Sequence, residues 1–368
     1  MKDDLERLPD WISPPGESIL DTLEERGWTQ ADLAERMGYT RKHINQLIKG
    51  VAGITEEAAL KLERVLGSSA GFWLNREAQY RETLARRVEL VDLKASVPWL
   101  LELPIADMVR FGWICKYSNR IMQVAECLRY FSVASVEAWR EKYQAVVLAY
   151  RVSVKVTKEH GAVSAWLRWG ERQSETSPCK PYDKTVLEEN LVAMRRLTME
   201  SDPQVFLLSL SRLCMASGMA LVVAPAPKGC PVSGLTRWLQ PDKALVMLSL
   251  RYKTNDQFWF TFFHELAHIL LHGKRMLFLE GLPDGLPDQA EDEANQWASA
   301  FLIPKASEKV LATLGQDESS IRQFAKDVGI APGIVVGRLQ KEGLLPWASG
   351  LNHLKVRYEW VEENNDEY

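Results

Sequence analysis

The chain has 368 residues, of which 46% are hydrophobic and 26% are charged, and its formal net charge is −4. This length and apolar content suffice for two or three domains with cores of their own, so a globular protein is expected. The negative net charge excludes a protein that is basic throughout. The five scattered cysteines lack the C-x-x-C spacing that is typical of a metal or redox site. The amino-terminal residues show no apolar signal region, which predicts a cytoplasmic protein with no membrane partner.

Two short helices separated by a glycine turn are predicted near the amino terminus. Thr29 is a helix cap, apolar residues follow it at helical spacing as far as Met37, and Gly38 ends the helix. A second helix is predicted over residues 41–50. Two helices joined by a short turn that contains glycine are typical of a helix-turn-helix motif.

The second of these helices carries side chains suited to reading DNA. Its apolar residues Ile44, Leu47 and Ile48 are predicted to face inward, and segment 36–49 contains four cations and no acidic residue. Arginine and lysine match guanine acceptors, and asparagine and glutamine match adenine. The alternative is a helical protein-interaction module whose polar face is merely solvated. The predicted DNA-binding residues are Arg41, Lys42, Asn45, Gln46 and Lys49.

Residues 14–80 as a whole resemble the XRE-type helix-turn-helix domain of the HigA and VapI antitoxins. The resemblance implies a domain that forms a homodimer and binds operator DNA, often in its own promoter. It also implies a toxin as a further partner.

The middle of the chain is expected to be helical and the part after it to contain strands. Residues 89–200 show helical apolar spacing, which predicts a helical linker region with a candidate hinge at 173–181. Short strands are predicted at 218–225, 232–239 and 243–250, because Pro, Gly and Asp turns separate them. An edge strand of such a sheet could pair with an extended peptide substrate.

The segment from Phe258 to His272, FWFTFFHELAHILLH, contains the zinc-peptidase pattern H-E-x-x-H. His264 and His268 lie one helical turn apart, so both imidazoles can reach one ion. Glu265 is expected to point to the open side of that ion and to act as the catalytic base. Ionisable groups in so apolar a helix would carry a desolvation cost of several kcal/mol each if unpaired, which a bound cation removes.

A third metal ligand is expected on the helix predicted over residues 289–304. Its apolar stripe is flanked by Glu291 and by Asn295, which predicts a carboxylate ligand and an orienting partner one turn later. Glu293 lies about 200° around the helix from Glu291, so only one of them can face the metal, and the stripe favours Glu291. His272 is the other alternative, but it is predicted to be a helix-end residue. The metzincin pattern is excluded because Lys274 stands where that pattern needs histidine.

The HELAH sequence after an aromatic run and the following EDEANQWASAFLIP together resemble the ImmA/IrrE metallopeptidases. The resemblance implies a gluzincin-like endopeptidase in which His264, His268 and Glu291 bind zinc and Glu265 is the base. It also implies that the substrate is a transcriptional repressor. Manganese or iron would suit the same ligands. Residues 321–339 resemble the small helical tail of these proteins. Their Gly333 and apolar Ile334, Val335 and Val336 leave few base-reading side chains, so packing or substrate docking is expected there rather than DNA reading.

The expected fold class is α+β and predominantly helical. The expected function is a DNA-binding transcriptional regulator fused to a zinc endopeptidase that cleaves a repressor or antitoxin, in toxin–antitoxin or stress regulation. The alternative is an antitoxin-like regulator whose peptidase fold binds a partner or signal without turnover. The predicted domains are the helix-turn-helix domain at 1–88, the helical linker at 89–200, a zincin-like domain with a small sheet at 201–310, and a helical region with an acidic tail at 311–368.

Overall fold

The computed structural model describes residues 13–149, 157–272 and 288–361. The chain divides into two compact units. One contains the residues up to Val97 together with Tyr117–Ala125, and the other contains Pro98–Lys116 and the chain from Glu126 onward. None of the described helices combines the length and the apolar character needed to cross a lipid bilayer. The predicted acidic tail is 359–368, and its residues from 362 onward lie outside the described residues.

The first unit is a set of helices around one apolar core. Buried side chains from successive helices meet there, among them Ile19, Leu33, Ile44, Leu62 and Trp73. The helices are α1 (Pro15–Arg26), α2 (Gln30–Met37), α3 (Arg41–Ile48), α4 (Glu56–Leu66) and α5 (Ala70–Ala95). The N-terminal unit is therefore helical, as the sequence predicts.

Local sequence sets the turn between α2 and α3. The Thr29 hydroxyl accepts a hydrogen bond from the Asp32 backbone N–H, and the Asp32 carboxylate accepts one from the Thr29 N–H at 2.8 Å. Gly38 then ends α2 with a φ of 68°, a left-handed conformation that glycine adopts without steric cost. Thr40 caps α3 by accepting a hydrogen bond from the His43 N–H. The predicted helix-turn-helix is confirmed, with its ends where the caps indicate.

The second unit consists of helices around a small sheet. The division between the units passes through α7 (Arg120–Phe131). The other helices before the sheet are α6 (Ile105–Arg110), α8 (Val136–Ala149), α9 (Thr157–Glu175), α10 (Lys184–Arg196) and α11 (Pro203–Ala216). Those after the sheet are α12 (Asn255–Ala267), α13 (Asp288–Leu302), α14 (Lys305–Ala312), α15 (Glu318–Val328) and α16 (Pro332–Lys341).

The sheet of the described residues has three strands, β1 (Met219–Val223), β2 (Gly234–Gln240) and β3 (Lys243–Leu248). β3 lies in the middle, parallel to β1 and antiparallel to β2. β2 is thus an edge strand. The three predicted strands and the α+β, predominantly helical fold class are confirmed.

The two faces of the sheet are covered by different helices. Alternate side chains of a strand point to opposite faces, and Val246 belongs to the core that contains the apolar residues of α12. Its register partner Thr236 also contacts α12, through Glu265. On the other face, Gly170 of α9 approaches Met247 so closely that a Cβ at residue 170 would lie 2.0 Å from the sulfur.

Helix α12 also packs closely against α16. A Cβ on Gly333 would lie 2.5 Å from the Asn255 side chain, and one on Gly337 would lie 2.3 Å from that of Asp256. Glycine at these two positions therefore permits the close approach of the two helices. Residues 321–339 form the predicted helix, glycine turn and helix, and their apolar side chains, including Val335 and Val336, are buried against α12.

The predicted boundary at residue 200 does not coincide with the division into compact units. Leu187 and Met194 of α10 lie in the same core as the apolar residues of α12. The segment predicted as a hinge, 173–181, lies inside the second unit, where the Lys243 ammonium donates hydrogen bonds to the carbonyls of Ser174 and Ser177. Helix α9 packs against the sheet and α10 contributes to the core that contains α12, contacts that a local pattern does not reveal.

Candidate metal centre and DNA-reading helix

Helix α12 carries the H-E-x-x-H motif through the core of the second unit. It begins at Asn255, three residues before the predicted start, and ends at Ala267. Residues His268–His272 continue it as a wider, π-helical turn, a feature that often occurs at functional sites. Phe262, Phe263 and other apolar residues fix the helix by burial.

The structure brings together the three predicted metal ligands. The Nε2 atoms of His264 and His268 are 3.1 Å apart. The Glu291 carboxylate, on α13, lies close to both rings. Its Oε2 is 3.3 Å from His264 Nε2, and its Oε1 is 3.5 Å from His268 Nε2. In the described residues, these three side chains form a group whose donor atoms all lie within 4.8 Å of one another.

The donor set fits one divalent cation. Ligand atoms bound to a tetrahedral zinc at about 2.0–2.1 Å lie about 3.3 Å from one another, which matches the separations between these nitrogen and oxygen atoms. Two imidazole nitrogens and one carboxylate are a common set for zinc and also suit manganese or iron. Glu293 lies elsewhere, 3.2 Å from His272 Nε2, so the structure places Glu291 rather than Glu293 beside both histidines.

The outer nitrogen of each histidine has a partner that fixes the ring. Asn295 Oδ1 lies 3.1 Å from His264 Nδ1, as the sequence predicts for an orienting residue. His268 Nδ1 lies 3.0 Å from His272 Nδ1. Outer partners of this kind hold the inner nitrogen toward an ion.

The Glu265 side chain is buried between α12 and the edge strand β2. Its expected direction, toward the open side of the ion, stays a prediction. Its Oε2 accepts a 2.8 Å hydrogen bond from the Thr236 hydroxyl, and a Cβ on Gly234 would lie 2.7 Å from its Oε1. The glycine leaves room for the carboxylate under the edge strand.

Burial and neighbouring charges shift the acidities of the site. Burial raises the pKa of Glu265 to about 7, against the opposing effect of His264 and Thr236. Burial also lowers the pKa of His268, assisted by the charge of His264. For His264, burial lowers the pKa but hydrogen bonding to Glu291 and the nearby carboxylates outweigh it, so its pKa lies above the ordinary value. A neutral His268 keeps its Nε2 lone pair for a cation.

The predicted DNA-reading residues lie on α3 and the residue after it. Arg41, Lys42 and Lys49 are exposed, whereas Asn45 and Gln46 are half-buried. Asn45 Nδ2 lies 3.5 Å from the Gln30 side-chain oxygen at the start of α2. The cations are thus presented to solvent, and the two amides are less accessible than the helical pattern alone indicated.

Two family models match this chain. Residues 233–340 match the model described as an IrrE N-terminal-like domain, and residues 19–73 match the helix-turn-helix model. YddM, an uncharacterised HTH-type transcriptional regulator of Escherichia coli strain K12, is 33% identical over 79 residues, which are 22% of this chain and 82% of that protein. The chain therefore belongs to the HTH-type transcriptional regulators, and its residues 233–340 are similar to an IrrE N-terminal-like domain.

The IrrE-like match contains the elements of the candidate centre. It includes β2, α12 and α13, which supply Thr236, the H-E-x-x-H motif and Glu291, and it continues through most of α16. The helix-turn-helix match contains α2 and α3. The two matches therefore contain the candidate metal centre and the helix-turn-helix, respectively.

Sequence reasoning missed two contacts of the centre. Thr236 belongs to no motif, and only the pairing of β2 beside α12 reveals its bond to Glu265. The sequence offers His272, on the same face as His268, as an alternative ligand and favours a helix-end role, and neither interpretation predicts a contact with Glu293. The structure places its ring between His268 and Glu293.

Proposed function

We propose that this protein is a zinc-dependent endopeptidase of the gluzincin type, fused to a DNA-binding domain, and that it cleaves a regulatory protein. The observation that carries the proposal is the convergence of His264, His268 and Glu291, with Glu265 directly after His264 on α12. Manganese or iron remains an alternative to zinc.

Each residue of the centre has a role in this reaction. His264, His268 and Glu291 would hold the ion, and the chemistry it supplies when bound is Lewis acidity toward a peptide carbonyl and toward water. Glu265 accepts a proton from the attacking water and delivers it to the leaving amine. Burial raises the pKa of this carboxyl in the metal-free site, which favours its uptake of the proton from water.

The substrate would bind as an extended chain. β2 is an edge strand next to the catalytic carboxylate, and edge strands can pair with a peptide through backbone hydrogen bonds. We propose a repressor or an antitoxin as the substrate, because the chain itself contains a transcriptional regulator domain.

The helix-turn-helix domain is proposed to bind operator DNA as a homodimer, with a toxin as a further partner. Arg41, Lys42 and Lys49 are exposed on one short segment, and cations of this kind contact phosphates and guanine edges. Two copies of the domain would occupy half-sites about one helical turn apart.

A second candidate is an antitoxin-like regulator whose peptidase fold binds a partner without turnover. The relationship to an HTH-type transcriptional regulator favours the regulatory half of that account. The presence of Glu265 favours turnover, because binding of a partner has no need of a buried general base.

The test compares protein termini across cells that express the wild type, Glu265→Gln or Asp292→Asn, with and without DNA damage. Asp292 is an exposed carboxylate on α13, so its variant controls for the loss of one charge. New termini with the wild type and the Asp292 variant, absent with Glu265→Gln, would support the peptidase and name its substrate. No new termini in any strain would favour the regulator without turnover.

A further inference from the structure

We propose that His272 and Glu293 act as a positioning pair for the metal ligand His268. They would form a hydrogen-bonded chain that fixes which nitrogen of His268 carries a proton and which one faces the ion. This inference rests on the proposed function, because it assumes that His268 is a ligand. It adds two residues to the centre that the H-E-x-x-H pattern does not contain.

The three side chains are aligned from the core to the surface. His268 Nδ1 lies 3.0 Å from His272 Nδ1, and His272 Nε2 lies 3.2 Å from Glu293 Oε2. The side chains of His268 and His272 are 4% and 5% exposed, whereas that of Glu293 is 46% exposed. The charged end of the chain is therefore hydrated, and its two imidazoles are shielded from water.

The direction of each hydrogen bond follows from the chemistry of a ligand. A neutral imidazole has one N–H and one lone pair, so a His268 that offers Nε2 to an ion must carry its proton on Nδ1. That N–H can donate only if His272 Nδ1 accepts. His272 then carries its proton on Nε2 and donates it to the Glu293 carboxylate. In this hydrogen-bonded chain every donor therefore faces an acceptor.

Glu293 is suited to be the final acceptor. Gln289 donates a 2.8 Å hydrogen bond to its other oxygen. That bond and the one from His272 hold the carboxylate in place on the first turns of α13. An ionised acceptor at the end of such a chain makes the ligand nitrogen more basic and fixes the plane of its ring.

The location of His272 explains why one helix supplies both ligand and partner. His264, His268 and His272 recur every four residues, and the last two belong to the π-helical turn that ends α12. Glu293 comes from α13, two residues after Glu291. The two acidic residues therefore have different tasks: Glu291 lies beside the inner nitrogens and Glu293 beside the outer histidine.

The test measures zinc affinity of the full-length chain by competition with a chromophoric chelator. We expect His272→Leu to bind zinc roughly tenfold to hundredfold more weakly than the wild type, and Glu293→Gln more weakly by a smaller factor. Asp292→Asn, which removes a neighbouring exposed charge, should bind zinc like the wild type. His272→Gln has one acceptor and one donor at similar positions, so it should recover part of the lost affinity.

A spectroscopic measurement on the wild type does not depend on the folding of any variant. Two-bond ¹H–¹⁵N correlation spectra of the zinc-loaded chain, which has six histidines, should show His268 protonated on Nδ1 and His272 on Nε2. The opposite tautomer of His272 would overturn the proposal. Equal zinc affinity of His272→Leu and the wild type would also overturn it.

The outcomes separate this inference from the proposed function. If the wild type binds zinc but produces no new protein termini, the peptidase proposal fails and the positioning pair can still be supported by the affinities and tautomers. If the wild type binds no zinc, both are overturned.

Discussion

The hydroxyl of Thr236 on the edge strand β2 donates a 2.8 Å hydrogen bond to Oε2 of Glu265. Thr236 is itself buried, and its hydroxyl is also 3.1 Å from the Glu265 backbone carbonyl. The strand expected to pair with a substrate therefore also fixes the carboxylate expected to act on it. A shift of β2 would move both.

Glu265→Gln should retain the metal and lose cleavage. The amide preserves the shape of the side chain and its contact with Thr236 but cannot accept the proton of the attacking water, so we expect a loss of roughly 10²–10⁴-fold or more in rate. The measurement is the rate of cleavage of the substrate found by terminal analysis, with bound zinc determined on the same samples. Substantial cleavage by the variant would remove Glu265 as the base.

The buried Glu265 should make the metal-free protein less stable as the pH rises. An ordinary glutamate ionises near pH 4.5, whereas the folded protein holds the Glu265 proton until about pH 7. Between these values the folded state binds more protons than the unfolded state, so the free energy of unfolding falls with rising pH and levels off above pH 7.

The comparison with Glu265→Gln isolates this effect. The variant lacks the ionising group, so its stability relative to the wild type should increase by on the order of 2 kcal/mol between pH 5.5 and pH 8. Urea unfolding in the presence of a metal chelator measures both proteins. A stability difference that does not change with pH would contradict the buried, raised-pKa placement of Glu265.

Substitutions on α3 should weaken DNA binding. Arg41→Ala and Asn45→Ala each remove a predicted base contact and should cost about 1–3 kcal/mol of binding free energy. Lys49→Ala should reduce the slope of the logarithm of the binding constant against the logarithm of the salt concentration by about one, because one phosphate contact is lost. The measurement is fluorescence anisotropy with DNA from upstream of the protein's own coding sequence.

The control for these variants is Lys94→Ala. Lys94 is an exposed cation in the last turn of α5, outside the α2–α3 pair. It should leave DNA binding unchanged. Unchanged binding by both the Arg41 and Asn45 variants would exclude α3 as the reading helix.

Much of the fold could be predicted because local signals coincide with it. The Thr29 cap, the Gly38 stop and the apolar spacing of α3 define the helix-turn-helix without reference to distant residues. The H-E-x-x-H spacing similarly places His264 and His268 together, since four residues make about one helical turn.

Other features depended on contacts that a linear pattern does not contain. Helices α9 and α10 have ordinary helical spacing, and only the sheet and core show that they pack in the same unit as α12. The burial of Glu265 under β2 depends on a strand some thirty residues earlier in the chain. The pair of His272 and Glu293 requires the end of α12 to meet α13.

The most direct test of the account is the number of zinc ions bound per chain after dialysis against metal-free buffer. We predict one zinc per chain for the wild type, for Glu265→Gln and for the control Asp292→Asn, and a marked loss for His264→Ala and Glu291→Ala. A wild type that retains no metal, or a Glu291→Ala variant that retains a full equivalent, would contradict the proposed centre.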